Sequence, residues 1–392
     1  MSIPRIDALI MAQEGMRSLT RAEIEAMQLR RLNALLRREK ARGGFYRDLP
    51  ERLDSLGELS TLPFTSDEDL AKNAAGLLLC SQSEIRRVLS DATSGTTGAA
   101  KRVFYTEGDC ENTVRLFMAR LGELIFPGSV TMICFPFSGP YGLGELIAEA
   151  VTRLGARPLK LGGGLSYGEL GEVLKQEKPD TFVGMPVQLL SLLRVCGRGS
   201  LRRALVSGDA CPMAVLRGCE ELLGSRLFPH YGSREMALGG AICCPAHEGM
   251  HLRENHVIAE IVDERGLPVP PGERGELVVT TIGMEAMPLI RYRTGDEARA
   301  IPGSCACGSE VLRLDDIGRK GGASEMAALD EALFALPGLA DYRATRIGGR
   351  LHLEILSCGE LRLPPLDAEI KIRPARPEDR TLYPGKRRIE EL

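Results

Sequence analysis

The stretch Thr93-Ser94-Gly95-Thr96-Thr97-Gly98-Ala99-Ala100-Lys101 combines small hydroxyls, glycines and a terminal cation. That combination suits a polyphosphate. Gly95 and Gly98 permit tight turns that bring backbone N–H groups toward anionic oxygens, the hydroxyls of Ser94, Thr96 and Thr97 donate further hydrogen bonds, and Lys101 supplies charge. Neither the G-x-x-x-x-G-K-[ST] spacing of a P-loop nor the G-x-G-x-x-G of a dinucleotide loop is present, so the expected ligand is ATP held in a different setting. A solvated Ser/Thr/Gly turn is the plain alternative.

Further chemistry-bearing residues follow in a fixed order. Ser207-Gly208-Asp209-Ala210 precedes His230-Tyr231-Gly232-Ser233-Arg234-Glu235-Met236, and Glu285-Ala286-Met287-Pro288-Leu289-Ile290-Arg291-Tyr292-Arg293-Thr294-Gly295-Asp296 comes after both. Taken singly, Glu235 reads as a surface acid and Asp296 as the cap of a Thr-Gly-Asp turn. A second constellation is made of soft ligands. Cys244-Pro245-Ala246-His247 and Cys305-Ala306-Cys307 form a Cys₃His set suited to closed, structural, tetrahedral zinc, with Cys243 and His251 as alternatives to Cys244 and His247 and free thiols as the other reading. The other seven cysteines lie singly among mixed or apolar neighbours and are expected to be reduced core residues.

These residues must be positioned by an α/β framework. Apolar, strand-like runs at 130–135, 157–161, 181–183 and 204–206 alternate with helical patterns at 144–154, 167–176 and 187–195, as in a parallel sheet flanked by helices. A β-rich region follows, with antiparallel strands expected at 257–263 and 275–281 and another segment at 291–300. Upstream, Ile24, Met27, Leu32, Leu35 and Leu36 mark one face of a helix within 20–42. A short helix near 61–71, capped by Ser66 or Asp67, leads to a strand at 85–90 just before the glycine loop. After Gly318, Gly321 and Gly322, which read as a hinge, come a helix at 324–336, a hairpin at 342–356 around Gly348-Gly349, and a basic end. The expected organisation is a large, multi-subdomain α/β lobe with a β-rich region (1–317) and a small, mobile α+β lobe (318–392).

With 392 residues the chain is long enough for two or three units of ~150 residues. A net charge of −3 gives no electrostatic case for nucleic acid as a partner. No apolar run approaches the ~18 residues of a membrane span, and Met1–Gln13 carries Asp7 and no long apolar core, so a cytoplasmic protein acting on small molecules is expected.

In their order, these motifs resemble the AMP-forming adenylate superfamily of acyl-CoA synthetases, luciferases and peptide-synthetase adenylation domains. "EAMPLIRYRTGD", the "CACG" after it and "YRDLP...LSTLPFTSDEDL" upstream resemble the phenylacetate-CoA ligase branch, over most of residues 30–320. The resemblance implies that Thr93–Gly98 hold the β- and γ-phosphates while Lys101 neutralises them. It gives Glu235 the Mg²⁺, since a hard cation asks for oxygen ligands, and Asp296 the ribose hydroxyls. Tyr231 would border the adenine with Ser207, Gly208 and Asp209 opposite, and Gly232, Ser233 and Arg319 would complete the nucleotide site. Phe137, Tyr141 and Gly142 would border the acyl group, and Lys386, in Tyr383-Pro384-Gly385-Lys386, would bridge carboxylate and α-phosphate. The implied reaction turns a carboxylic acid and ATP into acyl-AMP, then passes the acyl group to coenzyme A; a homodimer is also implied, and related members carry similar Cys/His positions.

Two departures from the branch are visible. Arg234 stands where a small hydroxyl residue is common, and Gly318-Arg319-Lys320-Gly321-Gly322 runs almost directly into a helix, without the apolar hairpin that serves thioester formation. A carrier protein or amine as acceptor, or a degenerate nucleotide-binding protein, are therefore the rival expectations.

Overall fold

The computed structural model describes residues 5–91, 101–320, 325–383 and 385–392, in two compact units: Met1–Glu123 with His230–Lys320, and Leu124–Pro229 with Gly321–Leu392. The architecture is α/β. No described helix is long and apolar enough to cross a membrane.

In the first unit, the helix Arg21–Arg42 starts at a capping box in which Thr20 accepts from the Glu23 N–H and Glu23 from the Thr20 N–H, and it ends on Gly43 in the left-handed region. Its buried Leu32, Leu35 and Leu36 pack with Leu252, Leu277, Val279, Leu289, Ile290 and Leu314 of an antiparallel sheet. In that sheet the strands run Ile258–Val262, Arg274–Thr280, Tyr292–Ile301, Arg313–Arg319, Met250–Leu252, Ala241–Cys243, and last the His230-Tyr231 end of Phe228–Tyr231. A separate hairpin pairs Ile85–Asp91 with Lys101–Thr106, and Asp91 faces Lys101 across it. The helix Asp67–Asn73 is capped by Ser66, one of the two caps expected, and Asp67 is its first helical residue.

The second unit holds the parallel strands in the order Arg157–Lys160, Val130–Ile133, Thr181–Gly184, Arg203–Val206, with Phe228 and Pro229 paired to Leu205 and Val206. Helices Leu143–Arg153, Tyr167–Gln176 and Pro186–Cys196 connect them in the expected alternation, and a further helix, Met213–Leu223, follows Arg203–Val206. Within the same unit lie the helix Glu325–Phe334 and a sheet in which Leu339–Ile347 and Arg350–Ser357 form the expected hairpin, turning at Gly348 and Gly349 with positive φ. The sequence-based division set 318–392 apart from everything before it. In the structure residues 321–392 share a unit and a core with 124–229: Leu190, Leu193 and Val215 pack with Leu329, Phe334 and Tyr342. Ser191 Oγ donates to the Ala340 carbonyl at 2.7 Å, and Arg194 donates to the Leu339 and Phe334 carbonyls at 2.6 and 2.7 Å. Of the expected hinge, Gly318 lies in the strand Arg313–Arg319, whereas Gly321 and Gly322 fall outside the described residues.

Candidate functional site

Thr93, Ser94, Gly95, Thr96, Thr97 and Gly98 lie outside the described residues. Lys101 opens the strand that follows them, and the first unit surrounds it with polar groups. Its Nζ lies 2.6 Å from Glu235 Oε1, 3.0 Å from Asp67 Oδ1 and 3.2 Å from the Tyr292 hydroxyl, which itself donates to Asp67. Burial alone would lower the lysine pKa, but Glu235 and Asp67 outweigh it and the pKa is raised. Burial likewise opposes ionisation of Glu235, yet Lys101 wins and its carboxyl titrates below the ordinary range. Both groups are therefore charged at neutral pH.

Glu235 is placed by a tight turn. Strand Phe228–Tyr231 ends, Gly232 follows, and a 3₁₀ turn spans Arg234–Met236. A Cβ on Gly232 would stand 2.6 Å from the Leu238 carbonyl oxygen, a backbone atom that cannot swing aside, so only glycine fits. The Tyr105 hydroxyl donates to the Arg234 carbonyl at 2.7 Å and pins the turn from the hairpin side.

The strand Tyr292–Ile301 carries the other half of this site. Four residues beyond Tyr292, at most about 14 Å along the backbone, Asp296 accepts from the Tyr231 hydroxyl at 2.8 Å and pairs with Arg319 Nη1 at 3.3 Å. Asp296 and Arg319 are register partners on adjacent strands. Thr294 Oγ1 accepts from the Asp296 N–H at 3.0 Å and donates to the Leu277 carbonyl at 2.7 Å; Gly295 between them has φ +70°, which favours glycine. The Thr-Gly-Asp turn thus presents a carboxylate flanked by a phenol and a guanidinium. Burial and the Asp296 charge keep Tyr231 protonated, with its pKa well above the usual value.

The remaining expected residues belong to the second unit. Gly208 has φ +89°, and a Cβ there would come within 3.1 Å of Phe135. Asp209 Oδ1 accepts from the Ala210 N–H and Oδ2 from the Arg387 N–H, each at 2.9 Å. Ser207 precedes them at the end of the strand Arg203–Val206. Phe137 is half-buried with Lys160 Nζ 5.8 Å from its ring centroid, Tyr141 has φ +65°, and Gly142 precedes the helix Leu143–Arg153. Lys386 is exposed. Its neighbour Arg387 is not. That guanidinium, 4% exposed, lies 3.0 Å from Asp330 and 3.1 Å from Asp341, and within 5 Å of the ring centroids of Phe334, Tyr342 and Tyr383.

The soft-ligand set is corrected in one member. Cys244, His251, Cys305 and Cys307 bring their ligand atoms within 4.8 Å of one another. His247 does not join them. It sits at φ +54° in the turn after Cys244 with Nδ1 3.5 Å from Cys243 Sγ, whereas the short strand Met250–Leu252 turns His251 fully inward. Cys244 Sγ and Cys305 Sγ are 3.7 Å apart, and Cys307 Sγ is 3.5 Å from His251 Nε2. Tetrahedral zinc, with bonds of about 2.3 Å to sulfur and about 2.0 Å to nitrogen, requires separations of about 3.8 and about 3.5 Å. The four residues fit that metal. Burial and Arg313 hold the His251 pKa down to about 4, so the ring is neutral, the form that ligates.

Sequence reasoning named Tyr292 only within a longer motif and Asp67 as a possible helix cap, and placed neither on Lys101. It read Arg387 as part of a generically basic tail.

A family model described as AMP-binding enzyme matches residues 92–286. The phenylacetate-coenzyme A ligase of Thermus thermophilus is 29% identical over 329 residues, covering 79% of this chain and 73% of that protein. The enzyme of the same name from Escherichia coli is 28% identical over 367 residues, covering 86% and 82%. Among solved structures, 2-hydroxyisobutyryl-CoA ligase in the postadenylation state, in complex with R3-HIB-AMP, shares the fold with a TM-score of 0.77 at 20% identity, over 95% of this chain and 90% of that one.

Proposed function

Because the chain belongs to the AMP-forming acyl-CoA synthetase superfamily, on its phenylacetate-CoA ligase-like branch, we propose that it activates a small carboxylic acid with ATP and transfers the acyl group to coenzyme A. In the first step a substrate carboxylate oxygen bonds to the α-phosphorus as the bond to pyrophosphate breaks, giving acyl-AMP. In the second the coenzyme A thiol, losing its proton, attacks the acyl carbonyl and AMP leaves.

The observation that carries this reading is the strand Tyr292–Ile301. It ties Lys101 and Glu235 at one position, through Tyr292, to Asp296 with Tyr231 and Arg319 at another. A cation suited to phosphate oxygens and a carboxylate suited to two ribose hydroxyls are thus tied to positions four residues apart on one strand. We assign Lys101 to phosphate charge, with Thr93–Gly98 on the β- and γ-phosphates, and Asp296 to the ribose. The resemblance assigns Tyr231, Gly232, Ser233 and Arg319 of the first unit, and Ser207, Gly208 and Asp209 of the second, to the nucleoside, and Phe137, Tyr141 and Gly142 to the acyl group. Glu235, a buried hard oxygen donor, would hold Mg²⁺, which neutralises phosphate charge as pyrophosphate departs. Lys386 would stabilise charge on carboxylate and α-phosphate in the adenylation transition state. Zinc on Cys244, His251, Cys305 and Cys307 would be structural, with four protein ligands and no open position.

A second reading has a specific observation in its favour. Strand Arg313–Arg319 is followed by helix Glu325–Phe334 after only the residues 320–324, which leaves no length for the branch's apolar hairpin. An acyl-AMP passed to a carrier protein or an amine would need no such hairpin. Acid-dependent pyrophosphate release tests the first step, and coenzyme A-dependent AMP release separates the two acceptors.

A further inference from the structure

A polar cavity of about 280 Å³ in the first unit lies apart from the nucleotide residues and is lined by Arg31, Arg115 and Arg253 together with Asn112, Asn255 and His256. None of the residues lining it is acidic. Arg253 is 2% exposed and makes only neutral hydrogen bonds: Nη1 donates to the Asn112 carbonyl at 2.9 Å, and Nη2 to Gln13 Oε1 at 3.0 Å and Asn112 Oδ1 at 3.2 Å. Its Nε, and the Nε2 of the buried His256, have no hydrogen-bond partner among the described residues. The nearby carboxylates pair with the other lining residues and not with Arg253. Glu14 is taken by Arg30, Arg31 and Asn255, and Glu111 by Arg115.

A buried guanidinium with no carboxylate hydrogen-bonded to it is costly to keep charged. Burial, with Arg31 and Arg115 adding like charge, pushes the Arg253 pKa down to about 9, against only Glu14. An anion in the cavity would relieve the burial and the repulsion together, and the Arg253 Nε–H would supply a donor to its oxygens. We propose that this cavity is a binding site for a small tetrahedral oxyanion, phosphate or sulfate, distinct from the site that holds the phosphates of ATP.

Titration calorimetry with inorganic phosphate, against sodium chloride at the same ionic strength, tests this on the full chain. Wild type is expected to show saturable binding at this site. Arg253→Met and Arg115→Met should each weaken it at least 10-fold, and Lys101→Met should leave it unchanged. Arg115 is half-exposed, so its variant carries the test even if loss of the buried Arg253 impairs folding. No saturable binding beyond the chloride control would overturn the proposal. So would binding that persists in Arg115→Met and disappears in Lys101→Met, which would assign the anion to the nucleotide site.

Discussion

Lys101 Nζ and Glu235 Oε1 stand 2.6 Å apart, with only 16% of the lysine side chain and 6% of the glutamate side chain exposed. Each favours the ionised form of the other against burial, which opposes it. Because neither group is held by packing alone, removing one charge is expected to disturb the other as well. Glu235→Gln should therefore lower acid-dependent exchange of pyrophosphate into ATP by about 10²-fold or more. Asp296→Asn should do the same by weakening the ribose contact, while both proteins remain folded. Wild-type exchange in both folded variants would remove these residues from the assignment.

Arg387 and Lys386 are adjacent and are expected to fail in different ways. Lys386→Ala should abolish acyl-AMP formation with little change in melting or in ATP affinity, since an exposed lysine used only in a transition state contributes to neither. Arg388→Ala should leave adenylation near wild type. Arg387→Met leaves Asp330 and Asp341 buried without their cation and should destabilise the second unit by about 3–5 kcal/mol. Calorimetric melting alongside pyrophosphate exchange reads both quantities, and equal mild losses in all three variants would contradict these roles.

For the soft-ligand cluster, metal analysis separates two histidines. Protein purified without added zinc should carry about one zinc per chain; His251→Ala and Cys305→Ser should lose it and melt lower, and His247→Ala should keep it. Zinc retained in His251→Ala and lost in His247→Ala would reverse the correction made from the geometry.

That histidine shows where sequence reasoning stops. The parallel strands and their helices were legible because short strand-like runs alternate regularly with helical stripes. The strands Ala241–Cys243 and Met250–Leu252 have three residues each, too few for an alternation to show, so the inward face of His251 could not be read. Proximity in sequence favoured His247, three residues from Cys244. The partners of Arg387 lie 46 and 57 residues away, and those of Lys101 up to 191. Composition alone made Arg387 and Arg388 equivalent, although the fold leaves only 4% of the Arg387 side chain exposed and Arg388 open to solvent.

Glu39 gives a pH-dependent stability change outside the site. Burial raises its pKa from 4.5 to about 7, against the attraction of Arg38 and Arg42. Between those values the folded chain binds more protons at this group than the unfolded chain. The group's favourable contribution is therefore complete below about pH 4.5 and is lost as pH rises through about 7. Glu39→Gln should raise Tm by a few degrees at pH 8 and change it little at pH 4.5; an equal shift at both values would show that ionisation is not the cause.

Product analysis with ATP, Mg²⁺, coenzyme A and a panel of carboxylic acids tests the central claim most directly. At least one acid should drive formation of AMP and pyrophosphate in equal amounts, with acyl-CoA accumulating alongside when coenzyme A is present. ADP and phosphate as the products, or nucleotide binding with no turnover across the panel, would contradict it.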